Sequence, residues 1–440
     1  MLRITISTDA QAAAQYYTQG LTRANYYAHD HAITGQWFGR GAARLGLSGA
    51  VEKKHFRALI DNRHPFTGEQ LTPRQSRKSG SKKKRRVAYD CTFNAPKSLT
   101  LLYEYTRDER LLEAFKSSVR STMEQMELDA RTQSGAGETK KTPFTGNLIW
   151  AEFIDFEARP VRREPTPAEA GDDEEITDPH LHAHCVVSGQ TWVEDEDRWK
   201  ALWFSRIKAS GAFYEAAFHA RLSKAVRELG YDTMPVQGGR WWEIAGISRR
   251  LREKFSLCTR EIDEYANEVG VIGDKNRDGL GALTRSKKSA SGVTLEDLRA
   301  KWRARLTAED IAELEAAGRS GGQDRISSGD AIRFALDKAL ERSSAAERND
   351  FLIDALRFGM GYVTLEDLED TLILMEAEGQ VIAAERNERT WITTPDVAEE
   401  EKALCEAVRD GTGTCEPFKT GHEFKPIIGE NGQSFTLSEV

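Results

Sequence analysis

Alternating apolar and polar residues predict several short strands along this 440-residue chain. Successive side chains of a strand point to opposite faces, so an alternating stretch buries one face and leaves the other available. In residues 178–187 one face collects the apolar side chains Leu181, Ala183, Cys185 and Val187. The other predicted strands cover residues 2–7, 87–92, 145–155 and 240–244.

Apolar residues spaced three and four apart predict helices between and after these strands. The first long stripe starts at Glu109, and the second covers residues 211–229, where Gly230 is a suitable C-terminal stop. Ser248 is expected to cap a third helix that continues to residue 269. Further helices are predicted at residues 295–305, 330–340, 350–356 and 364–377, followed by a β-hairpin at residues 381–393.

Strands and helices interleave without regular β-α repeats, which favours an α+β fold with an antiparallel sheet and flanking helices. A Gly- and Ser-rich stretch then separates this region from a group of helices and a hairpin, an order typical of a winged helix. We predict a first domain at residues 1–305, a linker at 306–329, a small winged-helix-like module at 330–397 and a tail at 398–440.

The formal net charge of −8 is unevenly distributed along the chain. Residues 351–440 carry 7 Lys/Arg against 19 Asp/Glu, whereas residues 51–100 carry 13 against 4. The whole-chain value therefore hides a basic N-terminal region, where phosphate binding is expected. The acidity of the C-terminal module argues against its being the main DNA contact.

Five scattered cysteines without a Cys-x-x-Cys pair favour free thiols in a reducing cytoplasm over a disulfide framework. The chain has no apolar run long enough to span a bilayer, so membrane insertion is not expected.

Three of the nine histidines, His180, His182 and His184, fall on the polar face of residues 178–187. Imidazoles two residues apart on a strand lie close enough to bind one divalent cation, which is the commonest role of clustered histidine. The alternative interpretation is a set of surface histidines on an edge strand.

Two tyrosine pairs precede a strongly basic segment. Tyr16-Tyr17 and Tyr26-Tyr27 stand ten residues apart, and residues 74–86 form a Ser/Gly-containing loop with eight basic side chains. The loop is either a solvated, disordered segment or an arm that grips DNA backbone. Together with Lys97, the candidate DNA contacts are Arg74, Arg77, Lys78, Lys82, Lys83, Lys84, Arg85 and Arg86.

These elements suit a site that cuts phosphodiesters. A metal would polarise the scissile phosphate, and a tyrosine hydroxyl would be the nucleophile that forms a covalent phosphotyrosine. Asp90, on the predicted strand at residues 87–92, would accept the tyrosine proton or orient a metal-bound histidine.

Residues 1–305 resemble the relaxase domain of MobF-type conjugative relaxases, a branch of the HUH single-strand endonucleases. The resemblance rests on six segments that follow one another in order. They are Ala14-Gln-Tyr-Tyr17, Asn25-Tyr-Tyr27, the glycine-rich residues 39–49, Tyr89-Asp-Cys-Thr-Phe-Asn-Ala-Pro-Lys-Ser98, Thr145-Gly-Asn-Leu148 and Asp178-Pro-His-Leu-His-Ala-His184. The family nicks one plasmid strand at the transfer origin, stays on its 5′ end and later rejoins the ends.

The resemblance implies roles for individual residues. Tyr16 would be the first nucleophile and Tyr26 the second, with Tyr17 and Tyr27 as their neighbours. Asp90 falls on the family's active-site aspartate, and His182 and His184 fall on its paired metal ligands.

The chain departs from the family at the third metal ligand, where Asp155 stands in place of a histidine. Either Asp155 completes a two-His, one-carboxylate site or His180 substitutes for the missing ligand. A carboxylate suits Mg or Mn better than a third imidazole would.

Residues 318–440 resemble the segment that leads into the family's helicase region. The sequence contains no Gly-x-x-x-x-Gly-Lys-Ser/Thr motif, so no ATP hydrolysis is expected from this chain alone. A longer parent protein is expected to carry the helicase, and the expected partners are single-stranded origin DNA, relaxosome proteins and a coupling protein.

Three other functions are compatible with parts of the pattern. An HUH replication initiator shares the chemistry, but here the tyrosines precede the histidines, as in relaxases. A non-haem iron oxygenase also uses two His and one Asp. It leaves the tyrosine pairs unexplained. A non-enzymatic DNA-binding regulator would rely on the acidic C-terminal module, to which it is poorly suited.

Overall fold

The computed structural model describes residues 1–11, 35–73, 86–135, 141–158, 177–236, 238–268, 294–318 and 325–414, with two short backbone strands in the tail. Its main sheet has six antiparallel strands. In spatial order they are β1 (Leu2–Ser7), β4 (Ala88–Asn94), β6 (Pro179–Ser188), β5 (Trp150–Glu157), β2 (Gln36–Phe38) and β3 (Gly49–Ala50). The histidines therefore lie on a central strand, and the edge-strand alternative is wrong.

Two further hairpins and ten helices complete this part of the described chain. The hairpins are β7 (Gln190–Val193) with β8 (Arg198–Ala201), and β9 (Thr233–Val236) with β10 (Trp241–Ile244). The helices are α1 (Arg40–Arg44), α2 (Lys53–Ile60), α3 (Lys97–Thr106), α4 (Glu109–Leu128), α5 (Ser205–Ala209), α6 (Gly211–Glu228), α7 (Arg249–Lys254), α8 (Leu257–Glu268), α9 (Leu295–Ala304) and α10 (Ala308–Ala316).

The two faces of the main sheet have different environments. One face packs on α3, α4 and α6 in the larger hydrophobic core, and the apolar side chains predicted to be buried there are buried. The opposite face is covered around Trp37 and Phe56 by a smaller apolar cluster that includes side chains of α1 and α2. The histidines project on this second face, as the alternation predicts, because strand side chains repeat with a period of two.

Gly39 has a conformation that the packing requires. Its φ of 96° lies in the region that favours glycine, and a Cβ atom there would lie 2.3 Å from the carbonyl oxygen of Leu148. Oε1 of Glu127 accepts hydrogen bonds from the backbone N–H groups of Arg40 at 2.8 Å and Leu148 at 2.7 Å. Two of the segments that carry the family resemblance therefore meet at a structural contact.

One strand and one helix have boundaries in the structure that differ from the predicted ones. The strand predicted at residues 145–155 begins only at Trp150, because Gly146 has a φ of 60° and the Asn147 amide donates to the carbonyl of Trp192 at 2.9 Å. The helix predicted from Ser248 to residue 269 is two helices, α7 and α8. The N–H of Leu257 donates to Asp178 at 2.6 Å, which replaces a helical hydrogen bond at the start of α8.

The C-terminal part contains helices and a small sheet in the predicted order. The helices are α11 (Ser328–Leu340), α12 (Arg348–Phe358), α13 (Leu365–Ala377) and α14 (Pro395–Gly411). The strands β11 (Ala346–Glu347), β12 (Ile382–Arg386) and β13 (Arg389–Thr393) form a sheet in the order β11-β13-β12, and the tail holds β14 (Ile427–Ile428) and β15 (Ser434–Phe435). The winged-helix assignment stays a prediction.

This C-terminal part packs against α6 of the first domain. Arg221 of α6 is 7% exposed and forms an ion pair with Glu366 at 2.6 Å, and Lys224 pairs with Asp367 at 2.7 Å. Within the predicted linker, α10 buries Leu314 in the larger core. The domain boundaries stay a prediction. No helix in the described ranges is both long and apolar enough to cross a membrane.

Candidate active site

Strand register brings the candidate site residues together on one face of the sheet. His182 of β6 pairs with Asn94 of β4 on one side and with Asp155 of β5 on the other. Residues paired in this way across antiparallel strands share a face. Three strands that are distant in sequence therefore contribute to one polar cluster.

His184 is fixed by the carboxylate of Asp90. Nδ1 of His184 lies 2.9 Å from Oδ2 and 3.1 Å from Oδ1 of Asp90. A carboxylate can only accept, so Nδ1 carries the ring proton and Nε2 presents a lone pair. The hydroxyl of Thr92 donates to Asp90 Oδ1 at 3.3 Å, which helps hold the carboxylate in place.

His182 is fixed by its own strand. Its Nδ1 lies 2.9 Å from the carbonyl oxygen of His180, so this ring also carries its proton on Nδ1. Nε2 of His182 lies 3.9 Å from Oδ2 of Asp155. Two metal–ligand bonds of about 2.1 Å span at most about 4.2 Å, so both atoms can touch one ion.

A register shift follows Asp155 on β5. The pairing with β6 is irregular between Asp155 and Glu157, and the N–H of Glu157 donates to Asp155 Oδ1 at 3.2 Å. Such irregularities often re-aim a side chain near an active site. Here the local backbone holds one carboxylate oxygen, while the other faces His182.

His180 stacks on His182 but lies in a different environment. The two ring centroids are 4.7 Å apart with an interplanar angle of 20°, whereas the His182 and His184 centroids are 5.1 Å apart at 71°. Burial, followed by the nearby His182 and Lys97, lowers the pKa of His180 well below its ordinary value.

The donor set of His182, His184 and Asp155 fits a divalent cation in its chemistry. Both imidazoles, with their protons on Nδ1, can coordinate a cation through Nε2, and the carboxylate supplies a hard oxygen ligand. Within the described ranges no group of three His, Cys, Asp or Glu side chains is already closed around one point. The fit of this site to a cation therefore rests on the chemistry of the donor atoms.

Asp178 and Lys97 position the start of the histidine strand. Asp178 is 2% exposed and forms an ion pair with Arg305 of the segment after α9 at 2.9 Å. The Lys97 ammonium donates to the carbonyl of Pro179 at 2.8 Å, and burial lowers its pKa. The assignment of Lys97 as a DNA contact stays a prediction.

Most of the predicted nucleophiles and DNA contacts lie outside the described residues. These are Tyr16, Tyr17, Tyr26, Tyr27, Arg74, Arg77, Lys78, Lys82, Lys83, Lys84 and Arg85. Arg86 is described, and its guanidinium donates to the hydroxyl of Ser205 at 3.1 Å.

Two site residues had no role in the prediction. Thr92 shares the face of Asp90 in the alternation of β4, which was a usable signal for its contact with the carboxylate. Asp178 belongs to the histidine segment, but its partners come from distant helices, so its anchoring role had no local signal.

Comparison with known proteins gives consistent similarities for this region. The TrwC relaxase family matches residues 10–309. The Escherichia coli multifunctional conjugation protein TraI is 30% identical over 311 residues, which cover 69% of this chain and 16% of TraI. The chain therefore spans less than a fifth of the length of that relative.

Solved structures of TrwC are similar in fold. One is the conjugative relaxase TrwC in complex with OriT DNA in a metal-free form, with a TM-score of 0.58, 28% identity, and coverage of 71% of this chain and 99% of that one. Another is the copper-bound complex with OriT DNA, which has the same TM-score, 30% identity and the same coverage.

Proposed function

Because the family match covers residues 10–309, the chain belongs to the TrwC relaxase family of MobF-type conjugative relaxases, and we propose that it nicks and rejoins DNA at a plasmid transfer origin. The observation that carries the proposal is the cluster of Asp90, His182, His184 and Asp155 on three adjacent strands of the sheet. The OriT DNA bound in the similar TrwC structures supports the choice of substrate.

The divalent metal would be held by His182, His184 and Asp155, and when bound it polarises the scissile phosphate as a Lewis acid. Metal-bound TrwC structures support a metal cofactor, and the carboxylate favours Mg or Mn as its identity. Asp90 accepts a hydrogen bond from Nδ1–H of His184, which leaves Nε2 of that ring as the atom that would bind the metal.

Tyr16 is proposed as the first nucleophile. Its hydroxyl oxygen attacks phosphorus and loses its proton to a base or to water. The bond between phosphorus and the 3′-oxygen breaks, and the leaving oxygen takes up a proton. The 5′ phosphate remains bound to Tyr16, which conserves the phosphoester for rejoining. Tyr26 carries out the second transfer, with Tyr17 and Tyr27 as neighbours.

The basic residues 74–86 and Lys97 bind the DNA backbone, which positions the strand without reading its bases. We propose that the protein acts in the bacterial cytoplasm with relaxosome proteins and a conjugative coupling protein. This follows from the conjugation function of the similar TraI and TrwC proteins.

The experiment is covalent capture on single-stranded origin DNA with Mg or Mn. Wild-type protein should give a protein–DNA adduct that maps to Tyr16. Tyr16→Phe removes only the hydroxyl, so DNA binding should survive while the adduct disappears, and Tyr17→Phe is the matched control. An adduct on Tyr26 or Tyr27 would reverse the order of the nucleophiles. If the wild-type protein forms no adduct with either metal, the proposed function is wrong.

A further inference from the structure

Two arginines of the first domain share one carboxylate of the C-terminal part. Nη1 of Arg131 lies 2.9 Å from Oε2 of Glu388, and Nη1 of Arg206 lies 2.7 Å from the same oxygen. Arg206 also donates through Nη2 to the backbone carbonyl of Glu388. These two guanidinium groups, which repel each other, therefore converge on a single anionic oxygen.

The three residues belong to elements of different exposure. Arg131, just after α4, has a side chain that is 8% exposed, and among the described residues its Nε has no hydrogen-bond partner. Arg206 of α5 is 37% exposed. Glu388 lies in the turn between β12 and β13, where it and Asn387 have φ values of 57° and 55°. Arg131 is thus largely buried and makes fewer hydrogen bonds than it could, whereas the turn that carries Glu388 lies over it and is exposed.

The charges of the site are not balanced by Glu388 alone. Burial lowers the pKa of Arg131, and the adjacent Arg206 lowers it further, while Glu388 raises it. Asp129, a second carboxylate near Arg131, also raises the pKa of Arg131 and accepts a hydrogen bond from the hydroxyl of Tyr214 at 2.5 Å. A pair of guanidinium groups with one bound carboxylate matches the geometry and charge that a phosphate group requires.

An exposed aromatic ring and a further arginine extend this site. Phe144 is 60% exposed, and the guanidinium carbon of Arg131 lies 3.6 Å from its ring centroid. Arg86 donates to Ser205, the residue before Arg206, so the end of the basic segment reaches the same place. Proteins that hold single strands combine basic grooves with aromatic rings on which bases stack.

We propose that Arg131, Arg206 and Phe144 form a second single-strand DNA subsite, and that Glu388 covers it in the DNA-free protein. The arginines bind one backbone phosphate and Phe144 stacks on an adjacent base. The Glu388 carboxylate stands in for the phosphate until DNA displaces the turn. This inference rests on the proposed DNA substrate and adds a binding site outside the histidine cluster.

The displacement requires only a local movement. Residues 386–389 are all exposed, so the turn can move away without disturbing the contacts of α6 with α12 and α13. A DNA phosphate then takes the place of Glu388, and the carboxylate returns to water. DNA binding at this subsite is therefore in direct competition with the turn.

The test uses the full chain and single-stranded DNA of unrelated sequence, without metal. Glu388→Gln keeps the shape but removes the charge, whereas Glu385→Gln removes one charge from an exposed position of the same hairpin. We expect Glu388→Gln to bind DNA roughly threefold to tenfold more tightly than Glu385→Gln. Without the Glu388 charge, Arg131 and Arg206 can form a charge-assisted contact with a DNA phosphate in place of the one with Glu388. Its salt dependence should steepen by about 0.7 in slope for each new phosphate contact.

A second substitution makes the test specific to the subsite. Adding Arg206→Gln to Glu388→Gln should return affinity and salt slope to those of Glu385→Gln. Equal binding by Glu388→Gln and Glu385→Gln, or a gain that survives Arg206→Gln, overturns the proposal. Thermal unfolding of each variant identifies any loss of fold. Covalent capture with the wild-type protein is scored separately, so a failure of the nicking function is distinguishable from a failure of the subsite.

Discussion

The Nδ1 atom of His184 lies 2.9 Å from Oδ2 of Asp90, across the pairing of β6 with β4. This contact assigns the ring proton of His184 to Nδ1 and leaves Nε2 as the atom that a metal would meet. The contact therefore favours a role for Asp90 in orienting a metal ligand over a role as the base that accepts the tyrosine proton. The two roles can be distinguished by measuring metal affinity, because loss of a residue that only accepts the tyrosine proton would leave metal affinity unchanged.

Asp90→Asn should lower metal affinity by about 10- to 100-fold, since the loss of an outer partner of a ligating histidine typically has this effect. Mn titration by calorimetry measures the change directly, without DNA. The control is Asp197→Asn, at an exposed position with a φ of 44° that asparagine tolerates. Unchanged metal affinity with lost nicking would instead identify Asp90 as the base.

The alternation of side chains in residues 178–187 was sufficient to place the histidines on one face, because the strand period of two is a local property. The contact between His184 and Asp90 was not predictable in the same way. It depends on the register of two strands whose residues are 94 positions apart. Such pairings are set by the whole sheet, so the sequence indicated Asp90 as a possible orienting partner of a histidine without identifying which histidine it contacts.

Two helices also differ between the sequence-based prediction and the structure. The break between α7 and α8 depends on Asp178, which is distant in sequence and accepts from Leu257 at the start of α8. By contrast, α10 had a local signal that the linker assignment did not use. Thr307 and Asp310 form a capping box, a pattern that marks the start of a helix.

Asp310→Asn should destabilise the protein by roughly 1–3 kcal/mol, because an amide replaces a buried carboxylate that accepts charged hydrogen bonds from Lys254 and Arg250. The side chain of Asp310 is fully buried and accepts from Lys254 at 2.6 Å. Denaturant unfolding measures the loss. The matched control is Asp330→Asn, because Asp330 occupies the same place in the capping box of α11 but is 52% exposed. Equal losses for both variants would contradict this prediction.

The contribution of Asp310 to the free energy of unfolding should depend on pH, and the direction of this dependence follows from its pKa. Burial alone would raise the pKa of Asp310, but hydrogen bonds from Lys254, Thr307 and Arg250 hold it well below its usual range. A lowered folded-state pKa gives stability that is present above the unfolded-state pKa of about 3.9 and is lost as the pH falls through the folded-state value. The difference between wild type and Asp310→Asn should therefore be full near neutral pH and shrink below about pH 4.

Replacing Lys82, Lys83 and Lys84 by Gln should weaken binding to all single strands by a similar factor, because phosphate contacts carry no sequence information. The slope of log affinity against log salt should become shallower by about 0.7 for each lost contact. The comparison is a triple variant of Lys53, Lys54 and Arg57, which are exposed on α2. An unchanged slope in the first variant would mean that the loop does not touch DNA.

Two residues near His182, Asp155 and His180, are the candidates for the proposed third metal ligand. Asp155 Oδ2 lies 3.9 Å from Nε2 of His182, whereas the His180 ring stacks face to face on His182. A stacked ring directs its nitrogens in its own plane, away from an ion bound in the plane of its neighbour.

Asp155→Ala should therefore cut metal affinity and nicking severely, with partial rescue by excess Mn, and His180→Ala should change metal affinity little. Calorimetric titration of both variants decides between them, and loss of metal binding in His180→Ala alone would make His180 the ligand.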